Sequence, residues 1–201
     1  MTLKHALLAV ALLGIGLFAG TRVAATQDAA SGPGGMDMME AMKLAQPGPE
    51  HEELMALAGD WVTDVSLGAM PGMPPMEQKG TTTATPILGG RFLMMTSAGN
   101  FMGMPFEGIN ILGFDRRHGE YTLVGFDTLG TYSVSGRGKK DDDGVIRMHG
   151  TDDDPMGKQV FTFEYSDLSA DSYAYRIVFE QIGPQVFDPP FAMVEAKAVR
   201  K

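Results

Sequence analysis

Met70, Met73 and Met76 recur at three-residue intervals in "GAMPGMPPMEQKG", separated by Gly and Pro. Thioethers are soft donors suited to Cu(I), and the chain has 16 Met and no Cys. The spacing therefore defines one candidate chemistry. Met is also a flexible filler of apolar space, so the same side chains equally form a plain loop or an adaptable cover over an apolar site, and that reading carries more weight. A second set is Arg91, Glu107 and Asp127, charges set in the apolar stretches "GGRFLMM", "PFEGINI" and "VGFDTLG". A buried charge is costly unless paired and hydrogen-bonded. Three such charges imply a cluster that orients a ligand's polar group, or else an internal ion pair or water-facing side chains. Burial would also raise the Glu107 or Asp127 carboxyl toward neutrality and suit it to general-base work.

Other catalytic patterns are missing. "HEELM" at His51 begins like a zinc-protease helix, but Met55 stands where the second His belongs. No Gly-x-Ser-x-Gly elbow occurs, and cysteine nucleophiles and cysteine metal sites are excluded by composition. "DDDG" from Asp141 and "TDDDP" from Thr151 lack the alternating ligands and distant carboxylate of a calcium loop and read as solvated turns. His149, alone in the strand-like "VIRMHG", reads as a hydrogen-bonded structural residue rather than a ligand. No metal or cofactor is expected, and a non-enzymatic role is favoured.

The elements that would position these residues follow from patterning. Lys4, the uncharged run Ala6 to Gly20 and the small residues Ala24 and Ala25 have the three-part form of a secretory signal, so residues 1–25 are expected to be cleaved and the protein exported, periplasmic or secreted. The run is shorter than the roughly 20 residues that span a bilayer, so stable membrane insertion after cleavage is not expected. The net charge of −9 becomes about −11 once Lys4 and Arg22 are removed, a surface that repels nucleic acid. Residues 26–48 contain "ASGPGG" and "AQPGP" and read as a flexible linker, with "MDMMEAMKLA" a possible short helix. Pro49 at a helix start, followed by Glu50, Glu52 and Glu53, predicts a short helix to Ala58.

After Trp61 the period changes to two. About ten short segments rich in Val, Ile, Thr, Phe and Tyr follow, divided by turns such as "DRRHGE", "DDDG" and "SADS". Phe161, Phe163 and Tyr165 alternate with Thr162 and Glu164, and Tyr175, Ile177 and Phe179 alternate with Arg176 and Glu180. No helical pattern separates the strands, so the expectation is all-β and antiparallel. Closure into a barrel would remove the exposed edges.

Gly59-Asp60-Trp61 at the first strand and Arg200 at the end of the last resemble the lipocalin and calycin arrangement, in which the Arg covers the indole and closes the barrel base. A cation over an indole contributes about 0.5–2 kcal/mol. "LAGDW", "ILGGRFL", "GMPFEGINILGFD", "DTLGT", "DDPMGK" and "MVEAKAVRK" together resemble a family of exported bacterial proteins designated a domain of unknown function, number fifteen seventy-nine, over residues 49–201. Phe126 precedes Asp127 here, whereas the family pattern places a Trp two positions before that Asp. The resemblance implies a lipocalin-like, antiparallel up-and-down β-barrel of about ten strands with a short N-terminal helix, over residues 49–201. The expected role is non-catalytic binding of a small, largely apolar molecule, with Arg91, Glu107 and Asp127 as polar contacts and Met70, Met73 and Met76 as the lid. Cu(I) binding by the methionines, and an isomerase or hydrolase with a carboxylate base, are the alternatives.

Overall fold

The computed structural model describes residues 37–68 and 74–201. The expected signal at 1–25, and Met70 and Met73, lie outside the described residues. Two short helices come first, α1 (Met38–Leu44) and α2 (Pro49–Met55). Ten strands follow: β1 (Gly59–Leu67), β2 (Met76–Ile87), β3 (Phe92–Phe101), β4 (Met104–Asp115), β5 (Glu120–Asp127), β6 (Ser133–Lys140), β7 (Ile146–Asp154), β8 (Gly157–Ser166), β9 (Ser172–Ile182) and β10 (Gln185–Arg200). Each expected segment became one strand.

The strands form a closed antiparallel barrel in which every strand pairs with its neighbours in sequence and β1 pairs with β10. The seam runs in register from Trp61↔Arg200 to Leu67↔Val194. The β3–β4 hairpin turns on Met102 and Gly103, both at positive φ (52° and 87°), as a two-residue hairpin loop requires. The register between β10 and β9 breaks between Val186 and Phe191. Pro189 and Pro190, which cannot donate to a ladder, fall in that gap.

Inward residues change character along the barrel axis. Toward α2 they are large: Trp61, Leu93, Leu112, Tyr121, Leu123 and Ile146 are all buried, and Leu54 and Leu57 close that end. Toward the other end, inward positions of β2 to β5 carry Gly80, Ser97, Gly99, Gly108, Asn110 and Gly125. Alternation fixes one face, and the small residues on it leave space unfilled. One end of the barrel is therefore a packed core, and the other is hollow.

The plug is built from sequence signals read above. Pro49 occupies the first turn of α2 with Glu50 and Glu52, and the helix buries His51 and Leu54. In α1, Asp37 accepts the Met39 N–H at 3.3 Å. The Arg116 guanidinium, from the β4–β5 turn, donates to the carbonyls of Lys43 at 2.7 Å and Gln46 at 3.0 Å. That turn thus fastens residues 43–46 to the barrel.

Candidate functional site

At the packed end, the Arg200 guanidinium carbon lies 4.4 Å from the centre of the fully buried Trp61 ring. Arg200 also donates to the carbonyls of Ala58 (2.8 Å), Ala56 (3.1 Å) and Ala170. The indole N–H donates to the Leu57 carbonyl at 2.9 Å. Gly59 sits at φ 136°, and a Cβ there would collide with the Arg200 guanidinium. Glycine at this position both permits the backbone turn and leaves room for the cation. These contacts close the base of the barrel.

The hollow end holds a cavity of about 390 Å³, within the range of small-molecule sites. Its two sides differ. One is aromatic, from β8 and β9: Phe161, Phe163, Tyr165, Tyr175 and Phe179 all line it. These rings pack on one another, with Tyr165 and Tyr175 centroids 4.7 Å apart and Phe161 and Phe163 5.2 Å apart. The facing side, from β2 to β5, is mixed: Gln78, Thr82, Ser97, Asn110 and several glycines line it together with Met95, Phe101 and Phe106. Thr82 and Ser97 hydroxyls are 2.9 Å apart.

Burial pushes the Tyr173 phenol up to about 12, with the nearby Thr82 hydroxyl offsetting part of the shift. Burial, reinforced by neighbouring phenols, pushes Tyr165 and Tyr175 up as well, and the Asp127 carboxylate adds to the rise at Tyr175. The phenols stay neutral at physiological pH and serve as hydrogen-bonding groups. The Gln78 amide oxygen is sealed and takes no donor among the described residues. Such an orphan costs roughly 1–3 kcal/mol.

A family model described as a protein of unknown function (DUF1579) matches residues 46–176. The chain belongs to the DUF1579 family. The match begins just before α2 and ends within β9, so the Trp61 half of the base closure lies inside it and Arg200 lies beyond. The crystal structure of Rv2717c from M. tuberculosis is similar, with a TM-score of 0.53 at 19% identity, covering 78% of this chain and 99% of that one. At this identity the likeness shows the fold alone. No curated protein matches the chain.

Within this DUF1579 barrel, Arg91, Glu107 and Asp127 are not brought together. Arg91 lies in the β2–β3 turn at the packed end, where it donates to the Leu88 carbonyl at 3.3 Å and the Gln46 side chain at 3.4 Å. Leu88, Gly89 and Gly90 all take positive φ, so the turn continues into Arg91 and keeps it off the strand. Glu107 is exposed on the outer face, because Gly108, Asn110 and Leu112 hold the inward parity of β4. The general-base reading therefore loses Glu107.

Asp127 shares the inward parity of Leu123 and Gly125 and lines the rim of the cavity. One of its oxygens accepts the Leu129 N–H at 2.8 Å. Met76 begins β2 and, with Met102, lines a shallow depression beside the mouth. His149 lies exposed on the outer face, 2.9 Å from the Thr162 hydroxyl. The residues that build the cavity without having been singled out are Gln78, Asn110, Asp152, Tyr173 and the β8–β9 rings. The alternation of Phe161, Phe163 and Tyr165 against Thr162 and Glu164 was the available signal for those rings.

Proposed function

We propose that this protein binds one small, largely apolar molecule in the hollow end of its barrel, without transforming it. The cavity of about 390 Å³, with one aromatic side and one side where polar groups are set among apolar ones, carries the reading. The rings supply apolar area, at about 25 cal/mol per Å² removed from water. The polar groups of the facing side, Thr82, Ser97 and Asn110, orient the guest. The leader-like residues 1–25 support uptake outside the cytoplasm.

Titration with N-phenyl-1-naphthylamine, which brightens in apolar sites, tests the reading. Gly99 lines the cavity, and a Cβ there meets only ordinary contacts at 3.6 Å. Gly99→Phe should therefore fill the cavity and abolish the fluorescence gain while the barrel stays folded. Equal probe binding in Gly99→Phe would place the probe elsewhere and refute the reading.

The shared depression of Met76 and Met102 favours Cu(I) capture as a second reading. Competition against a chromophoric Cu(I) chelator should then weaken at least tenfold in Met76→Leu/Met102→Leu. Unchanged competition would exclude these two side chains.

A further inference from the structure

Charge at the cavity narrows the class of guest. We infer that the barrel selects an amphipathic organic cation, an apolar or aromatic body bearing a protonated amine; this rests on the binding reading above. Three charged residues line the cavity: Lys79, Asp127 and Asp152. Lys79 has the outward parity of β2 and is spent on Asp64, 2.5 Å away on the outer surface. Asp127 continues the inward row of Leu123 and Gly125 on β5. Asp152 continues the inward row of Met148 and Gly150 on β7. The charge presented to a guest by the described lining is therefore acidic.

Three further observations point the same way. Phe163, Tyr165 and Tyr175 line the cavity, and aromatic rings attract cations strongly when desolvated. Asp127 and Tyr175 line the same cavity, and the carboxylate adds to the rise of the Tyr175 phenol. An anionic guest would meet two carboxylates. The formal charge of −9 adds long-range attraction for cations.

A matched series separates this inference from simple apolar binding: 1-naphthylmethylamine, 1-naphthylmethanol and 1-naphthoate, titrated calorimetrically at pH 7. The amine should bind about tenfold tighter than the alcohol and the naphthoate most weakly, as expected for two rim carboxylates acting with an aromatic face. Asp127→Asn/Asp152→Asn should bring the amine down to the alcohol's affinity. Asn keeps an acceptor for the Leu129 N–H, so the turn is preserved. Glu107→Gln/Asp153→Asn removes the same charge from exposed positions and should leave the preference intact. Amine preference that survives the rim variant, or falls equally in the outer one, overturns the inference while the alcohol's binding sustains the cavity reading. Failure of all three to bind overturns both.

Discussion

Replacing Arg200 with Ala should cost the barrel about 3 kcal/mol. The half-buried bond to the Ala58 carbonyl at 2.8 Å comes from a charged donor and contributes about 1.5 kcal/mol. The bonds to Ala56 and Ala170 are exposed, and water replaces much of what they lose, leaving about 0.5 kcal/mol each. The guanidinium over the Trp61 ring at 4.4 Å adds about 0.5–1 kcal/mol. For a domain of this size each kcal/mol moves Tm by about 2–4 °C, so a fall of roughly 6–12 °C is expected. Urea unfolding followed by the emission of Trp61, the only Trp in the chain, gives the free energy directly. Arg200→Lys keeps the charge and one carbonyl bond and should recover about a third of the loss. A change within about 0.5 kcal/mol for Arg200→Ala would refute the assignment of this residue to closure.

Other perturbations give equally sharp outcomes. His51 is buried against the Phe114 ring and its Nδ1 accepts the Gly48 N–H at 3.1 Å, so burial holds its pKa below 6.5. The unfolded chain then binds the proton first, and the stability tied to neutral His51 is complete above about pH 6.5 and lost as pH falls toward the folded value. Urea midpoints between pH 7.5 and 5.5 should decline less steeply in His51→Asn, and an unchanged slope would exclude His51 as their source. Gly138→Ala places a Cβ into the Arg147 carbonyl across the β6–β7 ladder, and its urea midpoint should report about 3 kcal/mol of destabilisation. Tyr121 donates to Glu53 at 2.8 Å, so Tyr121→Phe should cost about 1 kcal/mol in the same assay. Lys79 and Asp64, whose side chains are 78% and 65% exposed, form a surface pair, and Lys79→Met should move stability by less than about 0.5 kcal/mol.

The barrel was legible because its strands alternate. In β8 and β9 one parity is aromatic and the other carries Glu164, Arg176 and Glu180, so both faces could be read at once. β4 offered no such contrast. Ile109 and Ile111 share the outward parity with Glu107, while Leu112 and Phe114 point in with Asn110. Apolar residues on both parities hide which side is core, so the sequence leaves Glu107 open to an inward or a water-facing place. Arg91 leaves the strand for a different cause: Leu88, Gly89 and Gly90, all at positive φ, carry the turn on into it. Base closure is what the lipocalin resemblance of Trp61 and Arg200 implies, and the structure pairs these two residues across the seam. The cavity was less readable, since it is made by what inward positions lack, and a scatter of Gly, Ser and Asn shows no period until the strands are paired.

The one-after-another pairing of strands has a consequence for how the molecule is made. Hairpins between consecutive strands need only short loops to close, and they can form progressively as the chain emerges. The seam is different: the Arg200 bond to Ala58 spans 142 positions. Until β10 is available, β1 and the newest strand each present a bare edge that invites pairing with other chains. The slow, vulnerable stage of biogenesis is therefore a single zipping event, and the nascent protein needs protection until it is complete.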